Sequence, residues 1–261
     1  MFDSHCHLNL DVFKDELREV INEARENGVG KMLIPAIDET TSKEAIRIAN
    51  LYNGVYASVG VHPTDDNLET LDPKKLFYVF EELALNEDKV KAVGETGLDY
   101  YRYSAAPRIQ QDYFIRHIKL TLRTNKALII HSRQSTEDVL KILKKYWSSE
   151  LKNKVVLHAA EALETSIKYA EINSVYIGID GDVTYDSTKM DFIKKVPIEL
   201  LVLETDSPYL TPKPVRDEKS FPNKPSNLRF VAQKVADIKN IGVDEVSNIT
   251  TNNAKTLFSL N

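Results

Sequence analysis

The sequence predicts a single α/β domain, a (β/α)8 TIM barrel. Three observations carry that fold class. Short β-like apolar runs alternate with longer amphipathic segments from end to end of the chain. Its 261 residues match the roughly 250 of one such barrel. Five of the six histidines stand at the C-terminal ends of the strand candidates, where a barrel opens its mouth.

The elements follow in order. The first strand is read over Phe2–His5. An amphipathic helix follows over Asp15–Asn27, with Leu17, Val20, Ile21 and Ala24 on one face and Gly28 as its stop. Strands come next at Lys31–Ile37, Val55–Val61 and Val90–Gly94. A helix over Pro107–Thr124 takes its start from Pro107. Strand Ala127–His131 precedes a helix over Glu137–Trp147. Strand Lys154–His158 precedes Glu161–Ile172, and strand Val175–Ile179 precedes Lys189–Lys195. After strand Leu200–Glu204 comes the proline-rich stretch Thr211–Pro225, a stiffened loop of the kind that shapes a site. Helices over Ser226–Lys239 and Val243–Leu257 close the chain. The strands are rich in Val, Ile, Leu and Ala, as parallel strands buried on both faces require. There is no internal repeat, low-complexity tract or long linker, so residues 1–261 are read as one domain.

Composition narrows the function. Hydrophobic residues at 42% supply a large core, and 28% charged residues a soluble surface. No apolar run is long enough to span a membrane. A first strand beginning at Phe2 leaves no room for a signal peptide, and the lone Cys6 makes no internal disulfide. A cytoplasmic monomer with a reduced thiol is expected. The net charge of −5 gives no global attraction to nucleic acid, so phosphate binding must be local, through a cation-rich pocket or metal ions.

The chemistry lies at the strand ends. His5 and His7 are two residues apart, so on a strand both imidazoles aim at one point. His62 ends the third strand, Glu95 the fourth, His131 the fifth, His158 the sixth and Asp206 the eighth; His117 alone is inside a helix. Taken singly, each His can be a hydrogen-bonded rim residue, and each carboxylate can pair with an Arg. Taken together, so many imidazoles and carboxylates at buried ends need a shared partner, and a metal centre is the simplest one. The ligands exceed those of one tetrahedral zinc, and two divalent ions sharing a bridging carboxylate fit the count. Mixed nitrogen and oxygen ligation suits Zn, Mn, Fe or Co better than Mg.

Five blocks resemble the TatD-type metal-dependent deoxyribonucleases of the amidohydrolase superfamily. They are Asp3-Ser4-His5-Cys6-His7-Leu8, Gly60-Val61-His62-Pro63, Gly94-Glu95-Thr96-Gly97-Leu98-Asp99-Tyr100, Ile130-His131-Ser132-Arg133 and Leu203-Glu204-Thr205-Asp206-Ser207-Pro208-Tyr209-Leu210. They run from the first strand to the last. The resemblance implies His5, His7 and Asp206 on one metal, His131 and His158 on the other, and Glu95 bridging. It implies Glu95 and Asp206 as catalytic carboxylates, with Asp206 deprotonating the attacking water, and His62 against the substrate phosphate. Arg133 is the natural second phosphate contact, or else a salt-bridge partner of a neighbouring helix. The implied substrate is DNA, single-stranded or taken from an end.

Other features leave two readings open. Tyr100-Tyr101-Arg102-Tyr103 can stack on bases or pack on the rim. Lys213, Arg216, Lys219, Lys224 and Arg229 can form a cationic lip or a solvated loop. The chain departs from the family at His158-Ala159-Ala160-Glu161-Ala162, at Thr64, and at Pro222-Asn223-Lys224-Pro225. Glu161 either begins the next helix or opposes a phosphodiester at the mouth. Two other functions therefore stand beside the DNase: a metal-dependent amide, ester, lactone or aminoacyl-ester hydrolase, and a non-catalytic nucleic-acid-binding barrel.

Overall fold

A computed structural model describes residues 1–218 and 220–260. Eight parallel strands are hydrogen-bonded in chain order: β1 (Phe2–Asp3), β2 (Lys31–Ile34), β3 (Val55–Val59), β4 (Val90–Asp99), β5 (Ala127–Arg133), β6 (Val155–Leu157), β7 (Tyr176–Ile179) and β8 (Leu201–Leu203). The ring closes between its ends. Ser4 N donates to Leu203 O at 2.9 Å, Asp206 N to His5 O at 2.9 Å and His7 N to Ser207 O at 2.8 Å. Cys6 and Ser207 form a parallel bridge there. This is the expected TIM barrel.

The helices are α1 (Leu17–Glu26), α2 (Glu39–Leu51), α3 (Pro73–Asn86), α4 (Pro107–Thr124), α5 (Thr136–Tyr146), α6 (Glu164–Asn173), α7 (Ser187–Lys195), α8 (Leu228–Lys239) and α9 (Val243–Leu257). The sequence reading delineates neither α2 nor α3, yet both carry strong starts. Asp38 and Thr41 form a reciprocal capping box at α2. Asp72 caps α3, with Pro73 in its first turn. Among the described residues no helix is long and apolar enough to cross a membrane.

Strand alternation divides the core in two. Outward residues such as Met32, Ile34, Val93, Ile130 and Leu203 pack under the helices. Inward residues such as Phe2, Leu33, Ile129, Val156 and Val202 fill the lower barrel, where Leu257 and Phe258 at the end of α9 plug its floor. The Phe2 and Phe258 ring centroids are 5.5 Å apart. The upper barrel, at the strand C-termini, is left for polar side chains.

Candidate metal centre

Each ligand candidate is aimed by a local device. His5 and His7 lie just beyond β1, which is shorter than expected. They flank Cys6, whose buried bridge to Ser207 keeps the segment extended, so both rings face inward. Glu95 does not end β4 but lies inside it. Val93 pairs with Leu128 and Thr96 with Ile130, so Gly94 and Glu95 together oppose one residue of β5. This bulge turns the Glu95 side chain into the mouth. It needs the glycines beside it: Gly97 has φ +139°, and a Cβ there would sit 2.0 Å from His131 O. His158 follows β6, and Asp206 follows β8 in the left-handed region at φ 51°, which Asp tolerates.

The six side chains and His62 converge. Glu95 Oε2 lies 3.3 Å from His5 Nε2 and 3.6 Å from His7 Nε2. Those two nitrogens are 3.2 Å apart, and Asp206 Oδ1 is 3.6 and 3.5 Å from them. Four ligands at about 2.0–2.1 Å around one tetrahedral cation are about 3.3–3.4 Å from one another. The spacings here are those of a coordination sphere, in which a shared cation would take the lone pairs of both imidazole nitrogens. The donor set therefore fits a metal ion.

The other carboxylate oxygen faces a second set. Glu95 Oε1 lies 3.1 Å from His131 Nδ1, 3.3 Å from His62 Nε2 and 3.8 Å from His158 Nε2. The grouping differs from the implied pairing of His131 with His158. His158 stacks on His5, with centroids 3.5 Å apart, and its Nε2 also lies 3.8 Å from Asp206. His62, expected beside the metals as a substrate contact, lies against His131, their centroids 4.4 Å apart.

Charge is balanced across this cluster. Burial opposes ionisation of Glu95, but the histidines His62, His5, His158 and His131 hold its carboxyl well below the ordinary range. Burial likewise opposes the charge of Asp206, and His7, His158 and His5 still keep it low. Burial disfavours protonation of His158, yet Glu204, Glu95 and Asp206 raise it to about 10. His131 is raised too, against burial, by Asp99 and Glu95.

Two carboxylates behind the cluster have no assigned role in the sequence reading. Glu204 Oε1 lies 3.0 Å from His158 Nδ1 and accepts from Ala159 N at 2.7 Å. Asp99 Oδ2 lies 2.9 Å from His131 Nε2, while its Oδ1 accepts from Tyr101 N and Arg102 N. Each orients an imidazole from its far side. Strand parity is the signal for Glu204: Val202, Glu204 and Asp206 alternate, so Glu204 points into the barrel, where a carboxylate needs a partner. Asp3 does similar work at the seam, accepting from Thr205 N at 3.0 Å and from Thr205 Oγ1 at 2.6 Å.

Arg133 is exposed and stacks on Tyr101, its guanidinium carbon 3.9 Å from the ring centroid; it forms no salt bridge among the described residues. Tyr100 belongs to the rim packing, donating to Asp138 and accepting from Gln111. Glu161 does not begin α6. Its carboxylate accepts from Gln134 N and the Thr136 hydroxyl at the start of α5. The altered turn beside it is held by Lys189, which donates to Ala160 O at 2.6 Å and pairs with Asp182 at 3.1 Å. Asn223, in the second altered segment, is buried and donates to the Thr205 and Tyr209 carbonyls. Of the basic residues, Lys224 pairs with Glu23, Arg229 bonds Asn27, and Arg216 lies 3.8 Å over the Tyr185 ring. Lys219 lies outside the described residues.

The comparisons with known proteins agree over the whole chain. The family model for TatD related DNase matches residues 2–259. The metal-dependent hydrolase YabD of Bacillus subtilis is 33% identical over 263 residues, covering 100% of both chains. The metal-dependent hydrolase YcfH of Escherichia coli K12 is 34% identical over 271 residues, covering 100% of this chain and 96% of that one. The crystal structure of YJJV, a TatD homolog from Escherichia coli K12, matches with a TM-score of 0.91 at 27% identity, covering 100% of this chain and 98% of that one. With its barrel, its convergent ligand set and these relatives, the chain belongs to the TatD related DNase family of metal-dependent hydrolases.

Proposed function

We propose that the protein hydrolyses phosphodiester bonds of DNA, taking single strands or strand ends, with two divalent cations at the cluster. The observation that carries this reading is the two-sided presentation of Glu95, with Oε2 toward His5 and His7 and Oε1 toward His131 and His62. When bound, two such ions supply Lewis acidity to a phosphoryl oxygen and acidify a water. His5, His7 and Asp206 would hold one ion, and His131 with His158 or His62 the other.

The chain's own groups do the rest. Asp206 takes the proton of the attacking water. It is ionised, and at 13% exposure it is more open to the mouth than Glu95 at 3%. Arg133, unpaired by any carboxylate among the described residues and set over the Tyr101 ring, offers its guanidinium to a phosphate oxygen. The half-exposed Tyr101 and Tyr209 rings offer faces to unstacked bases. The carbonyl-hydrolase reading drew on the altered loop after His158, and in that loop the Glu161 carboxylate is engaged at α5.

The test is hydrolysis of end-labelled single-stranded and duplex DNA by chelator-stripped protein, with Mg²⁺, Mn²⁺ or Zn²⁺ restored singly, beside Glu95→Ala. Metal-dependent cleavage that vanishes in the variant is expected. Cleavage of ester or amide substrates with DNA untouched would overturn the phosphodiester reading. Tight DNA binding without metal, and no turnover with it, would favour a binding protein.

A further inference from the structure

His117 is the histidine that the centre does not take up. It lies within α4, fully buried, with its ring edge-on to Phe77 at a centroid distance of 4.7 Å. A buried imidazole must satisfy both nitrogens. Its Nε2 lies 3.1 Å from Val61 N, and a backbone N–H can only donate, so Nε2 carries no proton. The proton is therefore on Nδ1, which lies 2.7 Å from Tyr113 O and 2.9 Å from Thr96 Oγ1. Burial holds the ring's pKa down to about 4, so the neutral form persists at neutral pH.

The partners matter by their position. Val61 immediately precedes His62, and Thr96 immediately follows Glu95. Registered pairing between β3 and β4 runs only as far as Val59 with Val93, just before the bulge. His117 stands where that pairing stops and joins the two segments through its ring.

We propose that His117 is a positioning residue for the metal centre, tying the backbone before His62 to the residue after Glu95 and so setting the Glu95 Oε1 side. The inference rests on the two-ion reading. The set of His5, His7 and Asp206 is held separately, by the seam between β1 and β8. Because Glu95 is shared, loss of His117 weakens the ion on the Oε1 side more than the ion whose other ligands the seam holds.

The experiment is calorimetric titration of chelator-stripped protein with Mn²⁺ and with Zn²⁺, comparing the unaltered chain with His117→Phe and His117→Gln. Phe keeps a ring against Phe77 but offers Val61 N–H no acceptor. The Gln amide can both accept and donate. Two equivalents are expected in the unaltered protein. In His117→Phe one of them should weaken by about 10-fold or more, the scale of outer-shell effects on metal affinity, and His117→Gln should recover part of the loss. Two unchanged equivalents in a folded His117→Phe overturn the proposal, as does equal weakening of both. One equivalent in the unaltered protein overturns the two-ion reading and the proposal with it, before any variant is made. If His117→Phe does not fold, nitrogen NMR of the unaltered protein decides. A ring protonated on Nδ1 at neutral pH is expected, and protonation on Nε2 overturns the proposal.

Discussion

Glu204 Oε1 and His158 Nδ1 lie 3.0 Å apart beneath the mouth, both almost wholly buried. Gly178 on the neighbouring strand makes room for this carboxylate, since a Cβ there would meet its oxygens at 2.6 Å. A carboxylate on the far nitrogen fixes the ring and raises its basicity. Replacing Glu204 with Gln should keep the volume and weaken metal affinity by about 10–100-fold. Competition with a chromogenic chelator measures it, and unchanged affinity would remove Glu204 from the centre.

Metal affinity should rise with pH. Without metal, His158 is held up to about 10 by Glu204, Glu95 and Asp206, and His131 is raised as well. His158 is therefore protonated at neutral pH, and His131 holds its proton more firmly than an ordinary histidine, while a ligand nitrogen must be bare. Binding displaces protons, so affinity climbs by up to about tenfold per pH unit for each proton displaced, until the pH passes the raised value of His158. Proton release during titration in buffers of different ionisation enthalpy reads the number directly. A flat profile across neutrality would contradict the charge balance derived for the cluster.

Gly97→Ala should damage the fold and the centre together. At φ +139°, with His131 O 2.0 Å from the new Cβ, the β4–β5 ladder must shift beside the bulge. The cost exceeds about 1 kcal/mol, and each kcal/mol lowers the melting temperature by roughly 2–4 °C in a chain of this size. Thermal melts with and without Mn²⁺ would show both effects, the gain from metal shrinking as Glu95 moves.

Phe258→Ala makes the contrasting case. The ring is 1% exposed and plugs the barrel floor against Phe2. Its removal should cost about 3–5 kcal/mol, seen in urea unfolding. Metal affinity of the folded fraction should stay unchanged, because the centre is at the opposite end of the strands.

Much of this was legible in the sequence because parallel strands and surface helices have different periods, and because a barrel sends every strand end to one mouth. His5, His7, His62, Glu95, His131, His158 and Asp206 all meet there. The expected end of β4 at Gly94 was short by five residues, since strand pairing resumes at Thr96 beyond the bulge. A bulge is a relation between two strands, and the composition of one does not contain it. Helices α2 and α3 escaped because their caps, Asp38 with Thr41 and Asp72 with Pro73, say more than their mixed apolar faces. Glu204 was hidden in plain view next to Asp206, and only its inward parity separates it from a surface charge. The role of His117 depends on where β3 and β4 cease to pair, which no spacing along one helix can reveal.

The seam between β1 and β8 also sets a timetable. His5 and His7 leave the ribosome about two hundred residues ahead of Asp206, which completes their set. Throughout that interval the two imidazoles belong to a chain that cannot close. A polypeptide cut short before Leu201 lacks both the eighth strand and that carboxylate, so firm retention of a cation at this set reports that translation has run past the last ligand.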